Sequence, residues 1–246
     1  MYIIDRLIGL LSKSDPDSSD YILASCFLDR STFINEKVTL AEIEKKTFIS
    51  KSSTNRFVRA CGASTLKSFC ASLRKEYEED TISLKKEIND TSSLTVLSSS
   101  ARASIRNTAA AVMKAKRIFF YGPAAEIMMF SDFMHACIHL GIQPLILDDW
   151  PISQIRKKIC GAEPDDILFF IETGYSLQML EIRMALFEEV IQYSELSSFA
   201  GTKVFIGRKS AENDGFTVID VPQSADRSLY LKQISQCILE RMWSTR

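Results

Sequence analysis

Between Lys45 and Lys75 the chain carries eight basic side chains and no Asp or Glu, in a protein whose formal net charge is −1. Such a window is a candidate phosphate-binding surface, because Lys and Arg that neutralise phosphates release counterions condensed on a nucleic acid. Within it Ser52, Asn55, Arg56 and Arg59 recur at the spacing of one helix face, with Lys51 at the amino end. These side chains are suited to base edges: Arg to guanine O6 and N7, Asn to adenine N6 and N7, Ser to a base or a phosphate. Lys67, Arg74 and Lys75 extend the charge and suit phosphates. The plainer reading of a charge run is a solvated helix face; a stretch of this length without one acid argues for a charge-selected surface.

Three other groups of residues are candidates for chemistry. Thr173-Gly174-Tyr175-Ser176 puts two hydroxyls and a glycine at the start of a helix. Free N–H groups and the helix dipole favour an anion such as phosphate there, although the same residues also serve as turn and cap. His135 and His139 form an i, i+4 pair with Cys137 between them. Zinc wants three or four protein ligands and no further cluster accompanies the pair, so packing or an interface role is its reading and no metal is expected. Glu126, Glu172 and Glu181 are the carboxylates that acid/base isomerisation would need; they read instead as exposed helix-end groups. No P-loop, dinucleotide glycine fingerprint or nucleophile elbow occurs, and no cofactor is expected.

The elements that must position these residues change character along the chain. In the amino-terminal third, Ile3, Ile4, Leu7, Leu10 and Leu11 predict a first amphipathic helix, and Ser18, Ser19 and Asp20 can cap a second. Thr39 and Glu42 predict a capping box for the helix LAEIEKK, with Leu40, Ile43 and Phe48 on its buried side. Phe48-Ile49 makes a turn, Ser50 caps the next helix, and Gly62 ends it. On that helix Thr54, Phe57, Val58 and Cys61 form the face opposite the basic one and are expected to pack. This is the pattern of a helix-turn-helix, whose second helix enters a major groove.

Residues 81–107 are rich in Ser and Thr and read as a linker, with isolated apolar positions that suit a helical link or brace. From Lys116 onward, short apolar runs alternate with helical segments: RIFFY, PLILD, DILFFI, TKVFIG and FTVIDV as strands, and EIMMFSDFMHACIHLG, PISQIRKKICG, SLQMLEIRMALFEEVIQY and SLYLKQISQCILERMW as helices. This alternation predicts a five-stranded parallel sheet in flavodoxin-like order, with helices on both faces and ligands at the carboxyl ends of strands one and three. Six scattered cysteines with no CxxC read as core-filling thiols in a reducing compartment. No segment reaches membrane length, so a soluble cytoplasmic protein is expected.

The stretch TLAEIEKKTFISKSSTNRFVRACGASTLKSFCASL resembles the amino-terminal domain of RpiR-type transcriptional regulators. The match is carried by the threonine-initiated helix, Ser50, Ser53, Arg56-Phe57 and Gly62. Lys46-Thr47 replaces the small residues usual before the turn, and Cys61 a usual Leu. The second half resembles the SIS (sugar isomerase) domain that follows in such regulators. There a strand ending in Ser-x-Ser-Gly-x-Ser/Thr cradles a sugar phosphate; the matching run is Ile171-Glu172-Thr173-Gly174-Tyr175-Ser176. The other phosphate loop, Gly-x-Gly-x-Ser in the family, is Gly122-Pro123-Ala124-Ala125-Glu126, which lacks the second glycine and the serine.

The resemblance implies an α-helical DNA-binding domain over 1–80, a linker over 81–107 and an α/β SIS domain over 108–246. It implies a non-enzymatic regulator of carbohydrate metabolism that acts as a homodimer or homotetramer, with no membrane partner. Double-stranded operator DNA would be bound by Lys51, Ser52, Asn55, Arg56, Arg59 and Lys67, and a sugar phosphate or relative by Gly122, Thr173, Gly174, Tyr175 and Ser176. The alternatives are a phosphosugar isomerase-like enzyme and a regulator whose SIS domain only dimerises.

Overall fold

The computed structural model of the chain describes residues 2–29, 32, 38–90, 97–147, 152–172, 195–196, 198–208, 215–222 and 226–244. Two compact units divide it: Met1–Glu87 with His135–Leu145, and Ile88–Met134 with Ile146–Arg246.

In the first unit, apolar stripes and caps coincide. Helices span Ile3–Lys13, Ser19–Leu28, Leu40–Thr47, Lys51–Ala60 and Leu66–Asp90. Ile4, Leu7, Ile8 and Leu11 bury one stripe of the first. That helix has no side-chain cap of its own at Tyr2. Glu76, far along the chain, supplies one: its two carboxylate oxygens accept from the N–H groups of Ile3 at 2.9 Å and Ile4 at 3.0 Å. A carboxylate at a helix amino terminus satisfies orphan donors and opposes the positive end of the dipole. Ser18 caps the second helix through Tyr21 N–H at 3.2 Å, as its sequence predicts. At the centre Phe27 stacks on Phe57, with centroids 6.0 Å apart, and meets the edge of Phe69 at 4.8 Å. Burying three such rings from three helices dominates the apolar contribution here.

The stretch expected to be a linker is helical at both its ends. The Leu66–Asp90 helix runs through residues 81–90, and Ser98 caps a Ser99–Val112 helix through Ala101 N–H at 3.1 Å. Of the isolated apolar positions there, Ile82, Leu84 and Ile88 lie on the first of these helices.

The second unit holds most of an α/β sheet: β1 Arg117–Tyr121, β2 Gln143–Ile146, β3 Asp166–Glu172, β4 Thr202–Gly207 and β5 Thr217–Asp220. The order is β2-β1-β3-β4-β5, with β1–β3, β3–β4 and β4–β5 parallel. This is the flavodoxin-like order expected from the alternation of elements. Residues 166–171 of β3 are all buried, as a central strand covered on both faces requires. Strand β2 begins one residue earlier than PLILD predicts and β5 is shorter than FTVIDV, although Leu147 and Val221, just past β2 and β5, still donate their N–H groups to Phe120 O at 2.9 Å and Gly207 O at 3.1 Å.

The helix expected from Glu126 to Gly141 is broken into Ala124–Ile127, a 3-10 turn at Met128–Phe130, and Ser131–His139. The tighter turn leaves Met128 exposed and sets Phe130 within 6.0 Å of Phe120 and 6.2 Å of Phe169, centroid to centroid. At the amino ends of β1 and β3, Arg117 grips the buried Asp166 with two bonds, Nε to Oδ1 at 2.9 Å and a terminal nitrogen to Oδ2 at 2.5 Å. Asp166 also accepts from Glu163 N–H at 2.7 Å, so its buried charge is satisfied from two sides.

All six cysteines are free thiols. Cys26, Cys61, Cys70 and Cys137 are buried as expected, and burial pushes the Cys61 thiol up to about 11. Cys160 departs from the expectation, standing exposed at the end of the Ile152–Cys160 helix. Among the described residues no helix is long and apolar enough to cross a membrane.

Candidate nucleic-acid interface

The Lys51–Ala60 helix is set by local chemistry at each end. Before it, Thr39 and Glu42 close the capping box: Thr39 N–H donates to Glu42 Oε2 at 2.8 Å and Glu42 N–H to Thr39 Oγ1 at 3.3 Å. Thr47 bonds back to Ile43 O at 2.7 Å, and its Oγ1 accepts from Ile49 N–H at 3.3 Å, which shapes the turn. Ser50 then accepts from Ser53 N–H at 3.2 Å as N-cap. The helix ends in a Schellman motif, with Gly62 N–H on Arg59 O at 2.9 Å and Ala63 N–H on Val58 O at 3.1 Å. Gly62 takes φ +93°, which a side chain rarely adopts.

Thr54, Phe57, Val58 and Cys61 are buried, as predicted. Lys51, Ser52, Arg56, Arg59 and Lys67 are exposed, while Asn55 is half-buried. One helix therefore separates a packed face from a polar, basic one. The acid-free window of the sequence is not acid-free in space. Lys51 Nζ stands 3.8 Å from Glu44 Oε2, and Lys46 Nζ is held by Asp29 Oδ2 at 2.7 Å and Thr32 Oγ1 at 2.8 Å. Lys75 pairs with Glu79 at 3.6 Å, and Arg74 is half-buried. Among the described residues no carboxylate lies within ion-pair distance of Arg56, Arg59 or Lys67. With Lys45, also exposed and in no ion pair among the described residues, these are the cations whose charge the outward surface keeps.

Phe48, expected from the sequence on the buried side, is instead 92% exposed, and Ile49 is buried in its place. Phe48 adopts φ 58°, ψ 21°, the left-handed conformation at the helix C-cap, with its N–H on Glu44 O at 2.8 Å. A non-glycine residue there costs about 1 kcal/mol. Leu40, placed on the same buried side, is half-buried.

The histidines also belong to the first unit. His135 lies between two carboxylates, Nδ1 at 2.8 Å from Asp80 Oδ2 and Nε2 at 2.9 Å from Asp5 Oδ1. Burial would lower its pKa, but the bonds and charges of Asp5 and Asp80 outweigh this and raise it to about 9. Burial likewise pushes Asp80 up, and the bonds to His135 and His139 override it, bringing the carboxyl to about 2. His139 packs against Tyr77 with centroids 3.9 Å apart and the rings tilted by 47°. The pair is thus packed into acidic and aromatic surroundings, and no group of three ligands that could hold a metal occurs among the described residues.

At the sheet's carboxyl edge, Thr173, Gly174, Tyr175, Ser176 and Glu181 lie outside the described residues. Gly122, the remaining ligand candidate, follows β1 at φ +154°, and a Cβ there would meet Ile171 O at 2.5 Å. Its lack of a side chain is used by strand packing. Glu126 and Glu172 are both half-buried. Glu172 pairs in register with Gly207, the last residue of β4, and Arg208 follows it in the chain. A cleft of about 580 Å³ also opens at the opposite, amino end of the strands, beside Lys114, Asp165, Asp166 and Thr202. Its charged lining favours no phosphate.

No protein-family model matches this chain, and no curated protein matches it. Among solved structures, the Vibrio vulnificus NanR protein complexed with ManNAc-6P aligns at a TM-score of 0.44 and 12% identity, over 99% of this chain and 92% of that one. The sugar isomerase domain of an RpiR transcription factor from Sphaerobacter thermophilus aligns at 0.42 and 12%, over 69% of this chain and 88% of that one. No residue role is transferred from either.

Proposed function

We propose that the chain is a non-enzymatic transcriptional regulator that binds double-stranded operator DNA through the Lys51–Ala60 helix. Its α/β part assembles a homodimer or homotetramer and senses a phosphosugar-type effector. The observation that carries the DNA reading is the division of that helix: Thr54, Phe57 and Val58 buried, Ser52, Arg56 and Arg59 exposed, with no carboxylate paired to either arginine among the described residues. The capped turn before it supports a helix held at a fixed angle to the surface, which groove entry needs. Resemblance to the SIS domain supports the effector.

Binding of a mixed-sequence duplex at low and moderate salt tests this. The expected result is a steep salt slope that falls by about two in Arg56→Ala/Arg59→Ala, since each phosphate neutralised contributes about 0.9. A folded dimer with no DNA affinity at low salt rejects the proposal.

A second reading, a ligand-blind dimeriser, is favoured by one observation: Gly122 is packed against Ile171, with Glu126 and Glu172 near the same edge. A thermal-shift screen with hexose and amino-sugar phosphates separates the two. Ligand at a hundred times its dissociation constant stabilises by about 2.7 kcal/mol, and a flat screen favours the blind dimeriser.

A further inference from the structure

Among the described residues Phe48 is the most exposed large apolar side chain, at 92%. The turn holds it there. Its N–H is bonded to Glu44 O, and its neighbours Thr47 and Ile49 are both buried, so turning the ring inward would expel one of them. Glycine makes a left-handed turn without strain and without an exposed ring. A phenylalanine at φ 58° therefore calls for a role in the ring itself.

The surroundings narrow what the ring can meet. Phe48 is two residues before the N-cap Ser50 and three before Lys51, the first residue of the helix that carries the exposed Arg56 and Arg59. Lys45, Lys46 and Lys51 flank it in sequence, with one carboxylate, that of Glu44, 3.8 Å from Lys51 Nζ. A partner must bring an apolar group into a basic setting, which favours a polyanion over an apolar protein patch. The apolar feature that DNA shows in its major groove is the thymine 5-methyl group.

Resting on the DNA-binding reading above, we infer that Phe48 is a specificity-determining residue, whose ring packs on a thymine methyl at the edge of the groove entered by the Lys51–Ala60 helix. It reads a base by apolar contact, beside arginines that act through charge and hydrogen bonds.

The test uses the full chain, a duplex selected from a randomised pool, and the variant Phe48→Gly, which keeps the turn's left-handed conformation; thermal melting confirms its fold. The expected result is binding to the selected duplex weakened by roughly five- to tenfold, with the salt slope unchanged. Replacing thymines singly by deoxyuridine, which lacks the methyl, should reveal a position where the parent loses that same factor and Phe48→Gly loses nothing. Equal affinities of parent and variant overturn the inference, as does a set of deoxyuridine duplexes that affect both proteins alike. A change in the free protein's sedimentation on Phe48→Gly also overturns it, pointing to contact between copies of the chain. A parent without DNA affinity defeats the DNA-binding reading itself, a result distinct from the others.

Discussion

The basic helix and the carboxyl edge of the sheet are built at different ranges. The caps and turns that bound the Lys51–Ala60 helix, from the Thr39–Glu42 capping box to the turn at Gly62, lie within one short stretch of chain. The sheet edge is assembled from Gly122, Ile171, Glu172 and Gly207, which come together only through strand register. A surface made of local rules can change its outward residues without touching its frame. At the sheet edge, by contrast, frame and candidate site share atoms: Gly122 is held by packing against Ile171 before any ligand is considered.

The largest effect should come from the point where the local helix depends on the rest of its unit. Phe57→Ala removes a ring stacked on Phe27 and should cost about 4 kcal/mol in urea unfolding. Arg56→Ala/Arg59→Ala on the same helix should stay within about 0.5 kcal/mol of the parent. Similar losses for both would break the division between frame and surface. Next, Gly122→Ala should cost about 3 kcal/mol, since its Cβ meets a backbone carbonyl that a flexible side chain cannot clear. A neutral result would mean that the loop yields and that this edge is free to adapt to a ligand.

Among the changes to buried residues the smallest loss is expected from His135→Ala, at about 2 kcal/mol near pH 6, and its pH dependence is the sharper readout. The pKa of His135 is raised in the folded state by Asp5 and Asp80, with His139 and Tyr77 close by. Its contribution is therefore complete below the unfolded value near 6.5 and disappears as pH rises through about 9. The gap between variant and parent should close between pH 6 and pH 9.5. A gap that widens over that range contradicts the double-carboxylate clamp. The same pair viewed from Asp80, lowered to about 2, loses its contribution as pH falls below the usual carboxyl range.

What could be read in the sequence follows the same division. Caps, turns and the two faces of the Lys51–Ala60 helix depend on residues three or four apart, and Ser50, Thr54, Phe57 and Val58 all sit as expected. The strand runs and their order were legible because buried parallel strands are continuous apolar stretches joined by helices. Phe48 was not, since an apolar residue beside a buried stripe looks buried unless the backbone sign of its turn is known. Nor were the Lys46–Asp29 and Lys51–Glu44 pairs, which bring acids from outside the window to its edge. The clamp on His135 joins residues 5, 80 and 135, and no local pattern encodes that.

The carboxylate of Glu76 has a consequence for the order of events during synthesis. The helix it caps begins 73 residues earlier, so that helix is made without the acceptor for its first two N–H groups. At translation rates of 5–20 residues per second, on the order of ten seconds separate the helix from its cap. During that interval the nascent Ile3–Lys13 segment is an uncapped amphipathic helix with Ile4, Leu7 and Leu11 exposed, a natural client for a holding chaperone. Closure of this loop is late and entropically costly, and the His135–Leu145 part of the same unit is made later still.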